Sequence, residues 1–241
     1  ILRDRILYSL VLFAFGLIGL SLLLGQLSFA EQGRIITNLG LAAGELGSGM
    51  LAIFVGSSLV WREIEKQTIL TLISKPISRR SFILGKWLGL ASVLSMVVGL
   101  LALVLSLVCI GFGDVHWKPF LIANFTIFLE SLILLCVALF FGVFARPMLT
   151  TLFTVSIWIV GHGATDLAFF SSKSENPTFR MVGGFLSRVV PNFEYLNFKT
   201  AALYNDLIPI EALARAVGVW ALWTLLLLLA TTWIFEKRDF I

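Results

Sequence analysis

Four ionisable side chains lie within or beside long apolar runs of this 241-residue chain: Glu45, Glu130, His162 and Asp166. A carboxylate or imidazole in such surroundings can hold a proton, pair with another charge, or line a path for a polar solute. Glu130 has no Lys or Arg within its own apolar run, so it is expected to be neutral or bonded to Ser, Thr or Asn of another element. Thr154, Trp158, His162 and Asp166 follow one another at four-residue steps, which makes one polar stripe on a helix and puts His162 and Asp166 one turn apart, close enough to pair. Glu45, Gly49, Ala52 and Gly56 form a face that is small apart from the carboxylate, and Gly40 and Gly44 stand four apart beside it, so close helix packing or a dimer contact is expected there. For each of these groups, satisfied packing and a place on a solute path are the competing roles.

A nucleophile is also conceivable. Ser48 with His162 as base would make an intramembrane serine protease, but that chemistry needs a Gly-x-Ser-Gly turn and the residues are Leu46, Gly47, Ser48 and Gly49. An ion-coupled carrier using Glu45, Glu130 and Asp166 as proton sites is the other alternative. No catalytic residue is assigned. ATP hydrolysis needs Gly-x-x-x-x-Gly-Lys-Ser/Thr, whose backbone N–H groups and Lys converge on phosphate; Gly85-Lys86 is followed by Trp87 and lacks the upstream Gly. Cys109 and Cys136 are far apart in apolar runs, so neither a metal-type spacing nor a disulfide framework is present, and both read as small core hydrophobes.

What must position these residues follows from composition. With 59% apolar and 13% charged residues, too little polar surface exists to cover a water-exposed globule. Apolar runs of about 20 residues, enough to cross about 30 Å of hydrocarbon as helix, recur near residues 6 to 27, 39 to 61, 83 to 110, 120 to 145, 148 to 170 and 212 to 235. Backbone polar groups cannot go unpaired in hydrocarbon, and no alternating barrel pattern is found. The expected fold is therefore all-α, one polytopic domain over residues 1 to 241 with six transmembrane helices. The connection 171 to 211 holds Phe185, Leu186, Val189, Val190, Phe193, Tyr195 and Phe198, too apolar for a free loop, so it is expected to fold back on the outer membrane surface as short helices broken at Pro191.

Basic residues set the orientation. Arg3, Arg5, Arg62, Lys66, Lys75, Arg79, Arg80, Lys86, Arg146, Lys237 and Arg238 collect on one side, which assigns both termini to the cytoplasm. Topology signals and anionic lipid headgroups account for the net charge of +4, and no nucleic-acid partner is implied. The chain opens at Ile1 rather than Met, so a preceding piece is expected, and the first run lacks a signal-type cleavage site.

The strip WREIEKQTILTLISKPISRRSF, from Trp61, reads as a short helix over residues 63 to 74 between the second and third spans. Glu63, Gln67, Thr71 and Ser74 share one stripe, with Ile69, Leu72 and Ile73 opposite. Lys75-Pro76 disfavours continuation, and Ser78 is placed to cap the next helix. Such a helix could meet a soluble partner with its polar side.

The strip resembles the ABC-2-type permeases, the membrane halves of ATP-binding-cassette exporters. Glu63, Glu65, Thr68, Leu70, Leu72, Pro76, Ile77, Ser78, Arg79 and Lys86 reproduce the family's order of acidic pair, Thr, Leu-rich helix, Pro, aliphatic, Ser/Thr and Arg, with Gln67 where that family often has Gly. ILRDRILYSLVLF, VVPNFEYLNF and the terminal FEKRDF are similar to its first-span entry, its extracytoplasmic Pro-Asn-Phe segment and its charged exit. The resemblance implies a cytoplasmic coupling helix seated on a separate ATPase, with Glu63, Glu65, Lys66, Gln67, Thr68 and Thr71 at the contact. It further implies two ATPase subunits that carry the ATP and Mg, this chain holding no cofactor, and a second permease copy or homologue. A bacterial inner-membrane location, contact with membrane lipids, and short extracytoplasmic helices able to act as a lid or dock a partner protein complete the expectation.

Overall fold

A computed structural model describes residues 5–26, 32–65, 79–112 and 116–237, and all regular structure in them is helical. In order these are α1 (Arg5–Gln26), α2 (Gln32–Glu65), α3 (Arg79–Phe112), α4 (Trp117–Gly142), α5 (Pro147–His162), α6 (Ala164–Lys173), α7 (Pro177–Val189), a 3₁₀ turn (Phe193–Leu196), α8 (Lys199–Tyr204) and α9 (Ile210–Lys237).

Within these, Gln32–Ser58, Arg80–Gly111, Trp117–Gly142 and Ile210–Lys237 are long and apolar enough to cross a membrane. The expected span at 148 to 170 is not one straight helix. It breaks at Gly163, where α5 and α6 meet at 65°, and Val11–Gln26 of α1 is a shorter apolar helix. The described residues thus support four spans, or five with the bent pair as one, plus that shorter helix, rather than six.

α4 is the centre of the bundle. Ile133, Leu134, Leu135, Cys136, Val137 and Ala138 are all buried on consecutive positions, so the helix is enclosed on every side. It packs against α2, α3, α5 and α9. α3 and α9 leave Leu88, Met96, Leu103 and Leu107, and Leu222, Leu225, Leu229 and Trp233, on the outside, as a lipid-facing surface requires. Their antiparallel course is pinned at one end, where Arg80 donates to both Glu236 carboxylate oxygens at 2.6 and 3.2 Å and Phe82 stacks on Phe235 at 5.8 Å. At the opposite end the Arg34 guanidinium lies over the Tyr204 ring at 5.7 Å.

The connection before α9 does form short helices with Pro191 in a break. Asn176 caps α7, accepting from the Thr178 and Phe179 amides, and Asn192 caps the 3₁₀ turn by accepting from Glu194 N–H at 3.0 Å. It does more than cover a surface. Phe193 and Leu196 are fully buried against α4, α5 and α9, so the Pro-Asn-Phe segment is driven into the bundle. Gly161 makes this approach possible: a Cβ there would lie 2.5 Å from Phe193 Cδ2 and 2.6 Å from the Pro191 carbonyl.

α2 continues unbroken through Glu65, so Glu63 and Glu65 belong to the end of the second membrane helix rather than to a separate short one. Lys66, Gln67, Thr68 and Thr71, and the remainder of the expected coupling helix, lie outside the described residues.

Candidate functional site

Glu45 is carried by the middle of α2, Glu130 by the middle of α4, and His162 by the last position of α5. These helices bring them together. His162 Nε2 lies 2.9 Å from Glu45 Oε1 and 3.6 Å from Glu130 Oε1. The Trp158 indole N–H, one turn before His162, donates to Glu130 Oε1 at 2.8 Å. Gly49 leaves the room for that indole, because a Cβ there would stand 2.7 Å from Trp158 Cζ2. The fourth member comes from outside the spans: the Lys199 ammonium, at the start of α8, donates to Glu45 Oε2.

Protonation is constrained by the partners. His162 Nδ1 is 3.2 Å from the Trp158 carbonyl, which can only accept, so Nδ1 carries hydrogen. The contact between Nε2 and Glu45 Oε1 then needs one further proton, resting on either the imidazole or the carboxyl. With both carboxyls ionised and that proton on the ring, two negative and two positive charges balance within the cluster, which lets Glu45 and Glu130 stay almost fully buried. The arrangement can therefore hold a shared proton at a point where three helices and the inserted connection meet.

One ligand atom each from Glu45, Glu130 and His162 lie within 4.8 Å of one another, a donor set that a divalent metal can take. The Lys199 ammonium bonds the second oxygen of Glu45, so a positive charge already stands beside this set.

The other sequence-level candidates are placed as follows. Asp166 is exposed on α6, beyond the 65° bend, and His162 turns to Glu45 rather than to it. The bend removes the one-turn register the stripe assumed. Glu130 is satisfied by Trp158 and by the cluster, not by Ser, Thr or Asn of another helix. Ser48 donates to the Glu45 carbonyl at 3.2 Å, and both His162 nitrogens are engaged elsewhere, so the Ser48–His162 pair needed by a protease is not made. Gly40 is packed on Leu105 of α3, whereas Gly44 faces open space.

Two participants were not read from the sequence. Trp158 enters the sequence reading only as a member of the stripe, and Lys199 does not enter it. The signal for Lys199 was available: two carboxylates and one imidazole in apolar spans lack a positive charge, and this lysine directly follows the apolar segment at Phe193 to Phe198.

No curated protein matches the chain. A family model described as ABC-2 family transporter protein matches residues 16–240, almost the whole of it. The long apolar helices suit this match, and the chain belongs to the ABC-2 family of membrane transporter proteins.

Proposed function

We propose that the chain is the permease subunit of an ABC exporter. Two such subunits, identical or paired with a homologue, would sit in a bacterial inner membrane with their termini in the cytoplasm. Each would engage one of two cytoplasmic ATPases that carry the ATP and Mg. The observation that carries this reading is the family match over residues 16–240. The lack of a phosphate-cradling Gly-Lys-Ser/Thr motif in the sequence supports an external motor.

In this reading, closure of the ATPases tilts α2 as a rigid body, from its acidic end at Glu63 and Glu65. The same helix carries Glu45. Its bonds to His162 and Lys199 tie the inserted connection to α2 and α5, so a tilt of α2 works against that tie and changes the end of the bundle that it closes.

The test is co-purification with the ATPase subunit, and ATP-dependent transport in proteoliposomes, for the native chain, Glu63→Lys and Glu65→Lys. Both substitutions are expected to weaken ATPase docking while leaving membrane insertion intact. Unchanged docking and transport in both would refute the coupling assignment. The buried Glu45–Glu130–His162–Lys199 cluster favours a second reading, an ion-coupled carrier. That reading requires transport from a proton gradient alone, with no ATPase bound.

A further inference from the structure

α6, α7 and the turn after Pro191 surround an open cavity of about 670 Å³ that is separate from the charge cluster. We propose that this cavity binds a phosphate group, carried either by an anionic lipid headgroup or by free inorganic phosphate.

Charge is the first argument. Arg180 and Arg188, two turns apart on α7, both line the cavity, and no carboxylate is among its lining residues. Two guanidinium groups lining one space with no carboxylate make it positive, and phosphate matches their planar donor geometry. Arg180 is held in place by donating from Nη2 to the Ser174 carbonyl at 2.8 Å, which uses one of its five N–H groups.

The remaining wall is the second argument. Thr165 accepts from the Asn192 amide at 3.0 Å, so its own O–H remains to donate. Tyr195 also lines the cavity, and Ser172 and Ser187 make only local bonds to carbonyls three residues back, at 2.7 and 3.2 Å, which rotation of the hydroxyl can exchange. Gly183 sets the spacing of the walls, since a Cβ there would stand 2.7 Å from Ser171 Cβ.

Position is the third. Met181, Val182, Phe185 and Val189 are exposed on a different side of α7 from Arg180, Gly184 and Ser187. With Arg188 at the edge of this apolar side, the helix suits the boundary between hydrocarbon and water, where lipid phosphates lie.

The experiment uses the full chain in nanodiscs of phosphatidylcholine with and without phosphatidylglycerol. Retained lipid is counted by native mass spectrometry. A parallel titration with inorganic phosphate against chloride at equal ionic strength is followed by tryptophan fluorescence. R180Q/R188Q is compared with K118Q/R215Q, a charge-matched pair of changes at exposed positions on α4 and α9, and with R180K/R188K, which keeps the charge and reports on folding. Loss of phosphatidylglycerol retention by about tenfold in R180Q/R188Q alone supports the headgroup as the source. A phosphate-specific response abolished by that same pair, without lipid preference, supports free phosphate. Equal lipid retention in all variants together with no phosphate-specific response overturns the proposal.

Discussion

Replacing Lys199 by Met removes the only ammonium that reaches Glu45 among the described residues and leaves a similar side-chain length. The Glu45 side chain is 9% exposed and that of Lys199 21%, so solvent screens the pair little. Removing one partner of a buried ion pair costs about 3–5 kcal/mol. Here His162 still serves the other oxygen and the lysine keeps some solvent contact, so the cost falls below that range, to about 2–3 kcal/mol. For a chain of this size that is a fall in Tm of roughly 4–12 °C. The assay is thermal unfolding in detergent, followed by the fluorescence of the seven tryptophans. Lys199→Met, Glu45→Gln and the double variant form a cycle, in which the double variant should be less stable than native by clearly less than the sum of the two single losses. A coupling of about 1–3 kcal/mol is expected. A Tm unchanged by Lys199→Met, or strict additivity in the cycle, would refute the claim that Lys199 neutralises the cluster.

Three further outcomes follow, the first two from the same region. Trp158→Phe leaves Glu130 without its indole donor and should lower stability by about 1–3 kcal/mol, measured by the same unfolding assay, with a smaller loss in a Glu130→Gln background. Gly161→Ala forces a methyl group against the Pro191 carbonyl and Phe193, for a cost of about 1–3 kcal/mol and faster limited proteolysis between Val190 and Leu196. Gly218→Ala, which meets nothing within 4 Å on α9, should be neutral or raise stability by up to about 1 kcal/mol.

Charged groups in apolar runs are conspicuous in a sequence because hydrocarbon gives them no solvent, and Glu45, Glu130 and His162 were legible individually for that reason. Their meeting was not. It depends on the rotation of α2, α4 and α5 about their axes, which is set by contacts such as Trp158 on Gly49 and Ala138 on Gly56. Hydropathy likewise revealed the apolar content of residues 148 to 170, but an averaging window passes over Gly161 and Gly163, where the chain bends. Pro191 and the aromatic residues after it signalled short broken helices. That Phe193 enters the core was hidden, because its pocket exists only once Gly161 faces it. Lys199 drew no expectation, since sequence position alone does not show that a connection returns into the bundle.

The unbroken course of α2 has a mechanical consequence. From Glu45 to Glu65 the helix runs 20 residues, about 30 Å, with no proline to absorb a bend. It is therefore a lever whose arm is as long as the hydrocarbon core of a bilayer is thick, about 30 Å. A swing of about 10° about the level of Glu45 sweeps the acidic tip through about 5 Å, the rise of one helical turn. Displacements of that size at the tip reach the carboxylate as rotation more than as translation, and rotation is what a pair of directional bonds from an imidazole and an ammonium resists.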